Sequence, residues 1–139
     1  MPYLLSERTT RRELLDRARA VIDRQESETW EWKNADLLRF LFSAIQALEA
    51  ERPASGYFGT RRVPRRVEAV PVRSDYQTDE AWEAAVGELL DKPVLVDGRW
   101  LDALVEFVCY EAFRRDESDA ASQKLALQHW QAFRDFAQR

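Results

Sequence analysis

Apolar residues recur at steps of three and four along most of this 139-residue chain, and the pattern is interrupted at length only between residues 53 and 78. This spacing places an apolar stripe along one side of a helix. The stripes lie at residues 14–22, 37–48, 82–89, 101–112 and 121–136. The sequence therefore predicts a mainly α protein, a small helical bundle of about five helices with one extended, Arg-rich loop or β-arm insertion.

Polar residues that can cap helices precede these stripes. Thr10 stands three residues before Glu13, the spacing of a capping box, and Thr78 precedes the third stripe. Asn34 and Asp97 are the expected caps of the second and fourth helices. Pro53 disfavours helix at the residue before it, so the second helix should end there. We expect helices one, two, four and five to form the core.

The 139 residues are enough for a single domain, within which residues 54–78 form an extended insertion. The alternation around Val67 predicts a short strand or an extended arm, and Pro71 restricts any strand to an edge. Gly56 and Gly59 add further breaks in helical structure. We expect these breaks to prevent regular pairing over residues 54–74 and to leave the arm mobile in an isolated subunit.

Charge is distributed unevenly along the chain. The net charge is −4, but residues 1–52 carry −1, residues 53–74 carry +4 and residues 75–139 carry −7. A general nucleic-acid binder would be basic overall. The basic segment supplies the candidate interaction residues, Arg61, Arg62, Arg65, Arg66 and Arg73. They could contact an acidic partner surface or a polyanion, or they could lie on a solvated loop.

Residues that carry enzyme chemistry are sparse. His129 has no metal-ligand spacing around it, and Cys109 is the one cysteine, which excludes an internal disulfide. Both are expected to be core residues, His129 partly buried beside Trp130. Glu31 and Lys33 match the Glu-x-Lys triplet of some metal-dependent nucleases, with Asp23 upstream, but that triplet needs a strand. We therefore predict no enzyme, no cofactor and no metal.

The chain has no apolar run near the ~20 residues of a membrane helix, and its first residues do not resemble a signal peptide. We therefore expect no membrane contact and a cytoplasmic origin.

Three stretches resemble a known family. WKNADLLRFL at residues 32–41, PVLVDGRWLDALVEFVCYEAF at 93–113 and HWQAF at 129–133 are similar to helix-forming stretches of tailed-phage head–tail connector (adaptor) proteins. The resemblance covers helices two, four and five, about half of the chain. Residues 54–92 correspond only in position, as the family's variable insertion.

The resemblance implies a structural virion protein without enzymatic activity. It implies a homo-oligomeric ring, usually of twelve copies, that binds beneath the portal protein and receives the tail or the next connector protein. Such a ring would be assembled in the bacterial host cytoplasm and would lie at the virion head–tail junction. There it would extend the DNA channel and help retain the genome, with a passing contact to DNA.

Two other functions remain open from the sequence. One is a non-enzymatic helical protein-binding or scaffold protein that uses the Arg-rich arm. The other is a small DNA-binding protein whose arginines contact phosphates.

Overall fold

The computed structural model describes residues 9–23, 32–63, 66–115 and 120–139. These residues form five α-helices and one small antiparallel hairpin. The helices are α1 (Arg11–Ile22), α2 (Asn34–Glu51), α3 (Asp79–Leu90), α4 (Leu101–Arg114) and α5 (Ala120–Ala137), and the hairpin strands are β1 (Tyr57–Phe58) and β2 (Arg61–Arg62). The predicted mainly α bundle of about five helices is confirmed.

Side-chain caps fix the starts of two helices as predicted. Thr10 Oγ1 accepts a hydrogen bond from the Glu13 amide at 3.1 Å, and Thr78 Oγ1 accepts one from the Ala81 amide at 3.1 Å. Each bond satisfies an amide that has no partner inside its helix. Asp97 accepts from the Arg99 amide at 3.0 Å, but one 3₁₀ turn, Gly98–Trp100, lies between this cap and α4.

The predicted cap of α2 was wrong by one residue. Lys33 occupies the N-cap position, and Asn34 is the first helical residue. The Asp36 carboxylate accepts from the Lys33 amide at 3.2 Å, so the acidic residue of the first turn supplies a cap contact. Asn34 Oδ1 instead accepts from Arg19 Nη2 at 2.7 Å, which joins the last turn of α1 to the start of α2. The helix ends at Glu51, before Pro53, as predicted.

Helix α4 lies at the centre of the bundle and packs against α1, α2 and α5. Leu104 and Val108 of α4 are fully buried, as the predicted stripe requires. Aromatic rings join α4 to α5: the Phe107 and Phe133 centroids lie 5.0 Å apart, close to perpendicular. Helices one, two, four and five thus form most of the core, and α3 packs on α1 and α2 from one side.

The insertion differs from its predicted form. Strand pairing occurs at residues 57–62, where Tyr57 pairs with Arg62 and Phe58 with Arg61, so the expectation that no regular pairing occurs over residues 54–74 is wrong. Gly59 makes this tight turn possible because its φ is +65°, a conformation that glycine adopts without steric cost. Residues 67–72 run without strand pairing to any other described residue.

None of the helices in the described part of the chain is long and apolar enough to cross a membrane.

Candidate interaction surface

The five candidate arginines do not lie on one surface. Arg61 and Arg62 are exposed on β2, whereas Arg65 lies outside the described residues. Arg66 is buried, with 5% of its surface exposed, and Arg73 is half-buried at the far end of the insertion. The structure therefore separates the set into two outward-facing side chains and two that fasten the insertion to the helices.

Arg66 fastens the hairpin to the end of α2. Its Nη2 lies 2.7 Å from Glu49 Oε2, and its Nη1 donates to the Ser55 carbonyl oxygen at 2.8 Å. Burial lowers the pKa of Arg66 and the neighbouring Arg62 charge adds to this, although Glu49 opposes both. The guanidinium remains charged at neutral pH because an arginine pKa starts so far above it.

Gly56 lets the backbone approach this ion pair closely. A Cβ atom at residue 56 would lie 2.6 Å from Glu49 Oε1 and 3.3 Å from Arg66 Nη2. Any side chain here would require the Glu49 carboxylate to shift. The Gly56 carbonyl also accepts from the Val63 amide at 2.9 Å, which closes the base of the hairpin.

Glu68 fastens the middle of the insertion to α1. Arg11, only 1% exposed, places Nη1 2.7 Å from Glu68 Oε2, and Lys92 Nζ lies 3.0 Å from Glu68 Oε1. Arg11 Nη1 also donates to the Leu89 carbonyl at 3.2 Å, and the guanidinium lies over the Phe42 ring.

The sequence interpretation missed Arg11, although a signal was present. Arg11 precedes Leu14, Leu15 and Ala18 at the spacing of the apolar stripe of α1, so its position predicts burial.

Arg73 fastens the far end of the insertion to α3. Its side chain pairs with Asp79 and donates to the Tyr76 carbonyl at 2.7 Å. The hydrogen bond and charge of Arg73 hold the pKa of Asp79 below its usual value. The Trp82 indole adds a hydrogen bond to the Pro71 carbonyl at 2.9 Å. The insertion is thus attached at three places, chiefly through polar groups.

The arginine hairpin, residues 57–62, projects two positive charges from this attached base. Arg62 is 73% exposed at its side chain and lies 3.7 Å from Glu49 Oε1, a contact weakened by solvent. Arg61 is exposed and makes no ion pair with any residue that the structure describes. Tyr57 is 40% exposed and lies opposite Arg62 in the pairing register. The hairpin therefore exposes an aromatic ring and two guanidinium groups.

Helix α3 and its flanks carry the opposite charge. Residues 75–91 contain six acidic side chains and no Lys or Arg. Asp79 and Asp91 pair with Arg73 and Arg12. Glu80 and Glu88 are exposed, and neither pairs with a cation within the described ranges.

A cleft of about 500 Å³ opens where α3 meets the start of α2. Trp32, Lys33, Trp82, Glu83 and Arg19 contribute to its lining. Lys33 Nζ lies 5.7 Å from the centre of the Trp82 ring, a cation–π contact. The cleft therefore mixes both charges with two indole rings and does not select one ligand chemistry.

Within the residues it describes, the structure does not bring the nuclease-like triplet together in one site. Glu31 lies outside the described residues, Lys33 caps α2, and Asp23 follows the last turn of α1. Over residues 9–23, 32–63, 66–115 and 120–139, no three His, Cys, Asp or Glu side chains are grouped to hold a metal ion.

His129 and Cys109 lie in the α4–α5 region. His129 Nδ1 is 2.5 Å from Glu106 Oε2, and its ring stacks on Phe113 with centroids 5.3 Å apart. Cys109 is fully buried, and this burial, with the nearby Glu106 charge, raises the pKa of its thiol to about 12. The thiol is therefore protonated at neutral pH and a poor nucleophile.

No protein-family model matches this chain, and neither a curated protein nor a solved structure matches it.

Proposed function

We propose that this chain is a structural subunit of the head–tail adaptor type, which it resembles in helices α2, α4 and α5. In this function it forms a homo-oligomeric ring under a portal protein, extends the DNA channel and receives the tail or the next connector protein. Twelve copies are expected from the resemblance. The ring would lie at the virion head–tail junction, after assembly in the bacterial host cytoplasm.

The observation that carries this proposal is the firm attachment of an exposed arginine pair to a helical body. Arg61 and Arg62 project from a hairpin whose base is held by the buried Arg66–Glu49 ion pair. A ring needs one surface of each subunit to contact a different surface of the next. Charged projections on an ordered base suit this task because they set register and select the partner.

The core gives secondary support. The stretches that resemble adaptors contact one another: α2 packs on α4, and α4 packs on α5. Trp32 packs edge-on against Phe40, with centroids 5.3 Å apart, at the start of α2. The similar residues therefore belong to one packed unit.

A protein-binding scaffold that uses the same hairpin is the alternative. It would use Arg61 and Arg62 to contact an acidic partner other than a portal or another copy. A small DNA-binding protein is less well supported, since Arg66 and Arg73 are engaged with carboxylates and the acidic residues of α3 would repel phosphates.

The test is to look for a portal gene beside the gene of this chain, to mix the two purified proteins and to image the mixture by electron microscopy. The adaptor function predicts rings seated under the portal. Portals without added density would contradict it. The variant Arg61→Ser/Arg62→Ser should lose this ring, while Lys124→Ser/Arg139→Ser, which removes the same charge from α5 and the C-terminal residue, should retain it. Arg66 stays unchanged, because replacing it would combine a folding effect with a surface effect.

A further inference from the structure

The arginine hairpin and the outer side of α3 are oppositely charged surfaces at separate places on the subunit. Arg62 lies near Glu49 in the last turn of α2, whereas the cleft that includes Glu83 and Ala35 lies at the start of that helix. Residues 35 and 49 are about 20 Å apart along a helix axis at 1.5 Å per residue. No ion pair joins the hairpin to α3 among the residues described.

The outer side of α3 has a regular pattern. Trp82, Val86 and Leu90 are buried on the inner side. Glu80, Ala84 and Glu88, which we call the acidic stripe, follow one another at steps of four on the opposite side, and all three are exposed. The two carboxylates are thus separated by about 12 Å along the helix, with only a methyl group between them.

The hairpin offers a matching pattern. Neighbouring residues of a strand point to opposite sides, so Arg61 and Arg62 extend on the two sides of the ribbon. Tyr57, paired with Arg62, adds exposed aromatic surface on the Arg62 side of the ribbon. Two guanidinium groups around a narrow ribbon therefore correspond to two carboxylates around a small side chain.

We propose that the arginine hairpin of one subunit docks on the acidic stripe of a second copy of this chain, with its two arginines paired to Glu80 and Glu88. The inference deepens the proposed function, since this contact would join neighbouring subunits of the ring. Because the two surfaces are different, the contact is heterologous and repeats from copy to copy until it closes. A second copy is the expected occupant of the acidic stripe, because every copy carries the oppositely charged arginine hairpin.

The test is sedimentation velocity of the protein alone, without portal, at low salt and at high salt. The wild type should form oligomers at low salt that dissociate as salt is raised, because the contact is exposed and ionic. Arg61→Glu/Arg62→Glu and Glu80→Lys/Glu88→Lys should each weaken self-association at least about tenfold, since like charges then meet. The matched controls are Lys124→Glu/Arg139→Glu and Asp16→Lys/Asp135→Lys, which make the same charge changes at other exposed positions and should not alter assembly.

Mixing the two variants gives the decisive result. An acidic hairpin then meets a lysine-bearing stripe, and the unaltered hairpin meets the unaltered stripe, so equimolar mixtures should form oligomers in which the two chains alternate. Native mass spectrometry should find equal numbers of each chain. A monomeric wild type, unchanged assembly of either variant, or a mixture that stays monomeric would overturn the proposal. Oligomers that obey these rules but do not bind a portal would retain this contact and reject the adaptor function.

Discussion

Arg66 and Glu49 form an ion pair of 2.7 Å that joins the end of the insertion's hairpin to the last turns of α2. Arg66 is buried and Glu49 is partly exposed, so one side of the pair is shielded from water. The Ser55 carbonyl accepts a second hydrogen bond from the same guanidinium. The orientation of the exposed Arg61 and Arg62 therefore depends on a neighbouring arginine with a structural role.

Replacing Arg66 should lower stability. Arg66→Ala leaves the Glu49 carboxylate and the Ser55 carbonyl without this donor, and hydrogen bonds to charged groups contribute roughly 1.5–3 kcal/mol. Urea denaturation should report a loss of that size. Arg62→Ala removes the same side chain from an exposed position near the same carboxylate and should cost less than about 1 kcal/mol. Equal effects of the two substitutions would show that the buried pair does not hold the hairpin.

Leu104→Ala should be among the more destabilising substitutions of the core. Leu104 is fully buried at the centre of α4, and truncation there removes apolar contacts and leaves a cavity, at a cost of roughly 2–5 kcal/mol. Leu127→Ala is the matched control because Leu127 is 58% exposed on α5, so its loss should change stability by about 0.5 kcal/mol or less. An unchanged melting temperature of the Leu104 variant would contradict the described packing.

The pH dependence of stability should include a contribution from Glu68. Burial would raise the pKa of this carboxyl, but hydrogen bonds and charge from Arg11 and Lys92 outweigh burial and hold the pKa below 4.5. A carboxyl with a lowered folded-state pKa stabilises the protein fully above its unfolded-state pKa, and this stabilisation is lost as pH falls through the folded-state pKa.

The free energy of unfolding of wild type and Glu68→Gln should therefore be compared from pH 7 downward. The wild type should be more stable at neutral pH, and the difference should shrink below about pH 4.5. The Asp75→Asn variant is a control, because Asp75 is exposed and its replacement should not reproduce this profile. A difference between wild type and Glu68→Gln that is constant with pH would rule out the ion pair as its source.

The helices could be predicted from the sequence because their apolar stripes and caps are local signals. Thr10 and Thr78 are caps in the structure as predicted, and Leu104 lies in the core. The roles of the arginines could not be predicted in this way. Arg61 and Arg66 stand in the same basic segment, but Arg66 is buried in an ion pair with Glu49 and Arg61 is exposed. This difference could not be predicted, because only the fold brings Glu49 near Arg66.

Cys109 should resist thiol reagents in the folded protein. It is fully buried between α4 and α1, where its sulfur lies 3.9 Å from the Ala18 carbonyl oxygen, and burial raises its pKa to about 12. Both the low access and the low thiolate fraction slow reaction with a disulfide reagent. At pH 8 we expect almost no release of thionitrobenzoate from Ellman's reagent by native protein, and one equivalent after unfolding in guanidinium chloride, since the chain has one cysteine.

The Leu104→Ala variant serves as a comparison, because a loosened α4 should expose the thiol more often and speed its reaction. Rapid labelling of the wild type under native conditions would show that α4 is not the buried centre of this bundle.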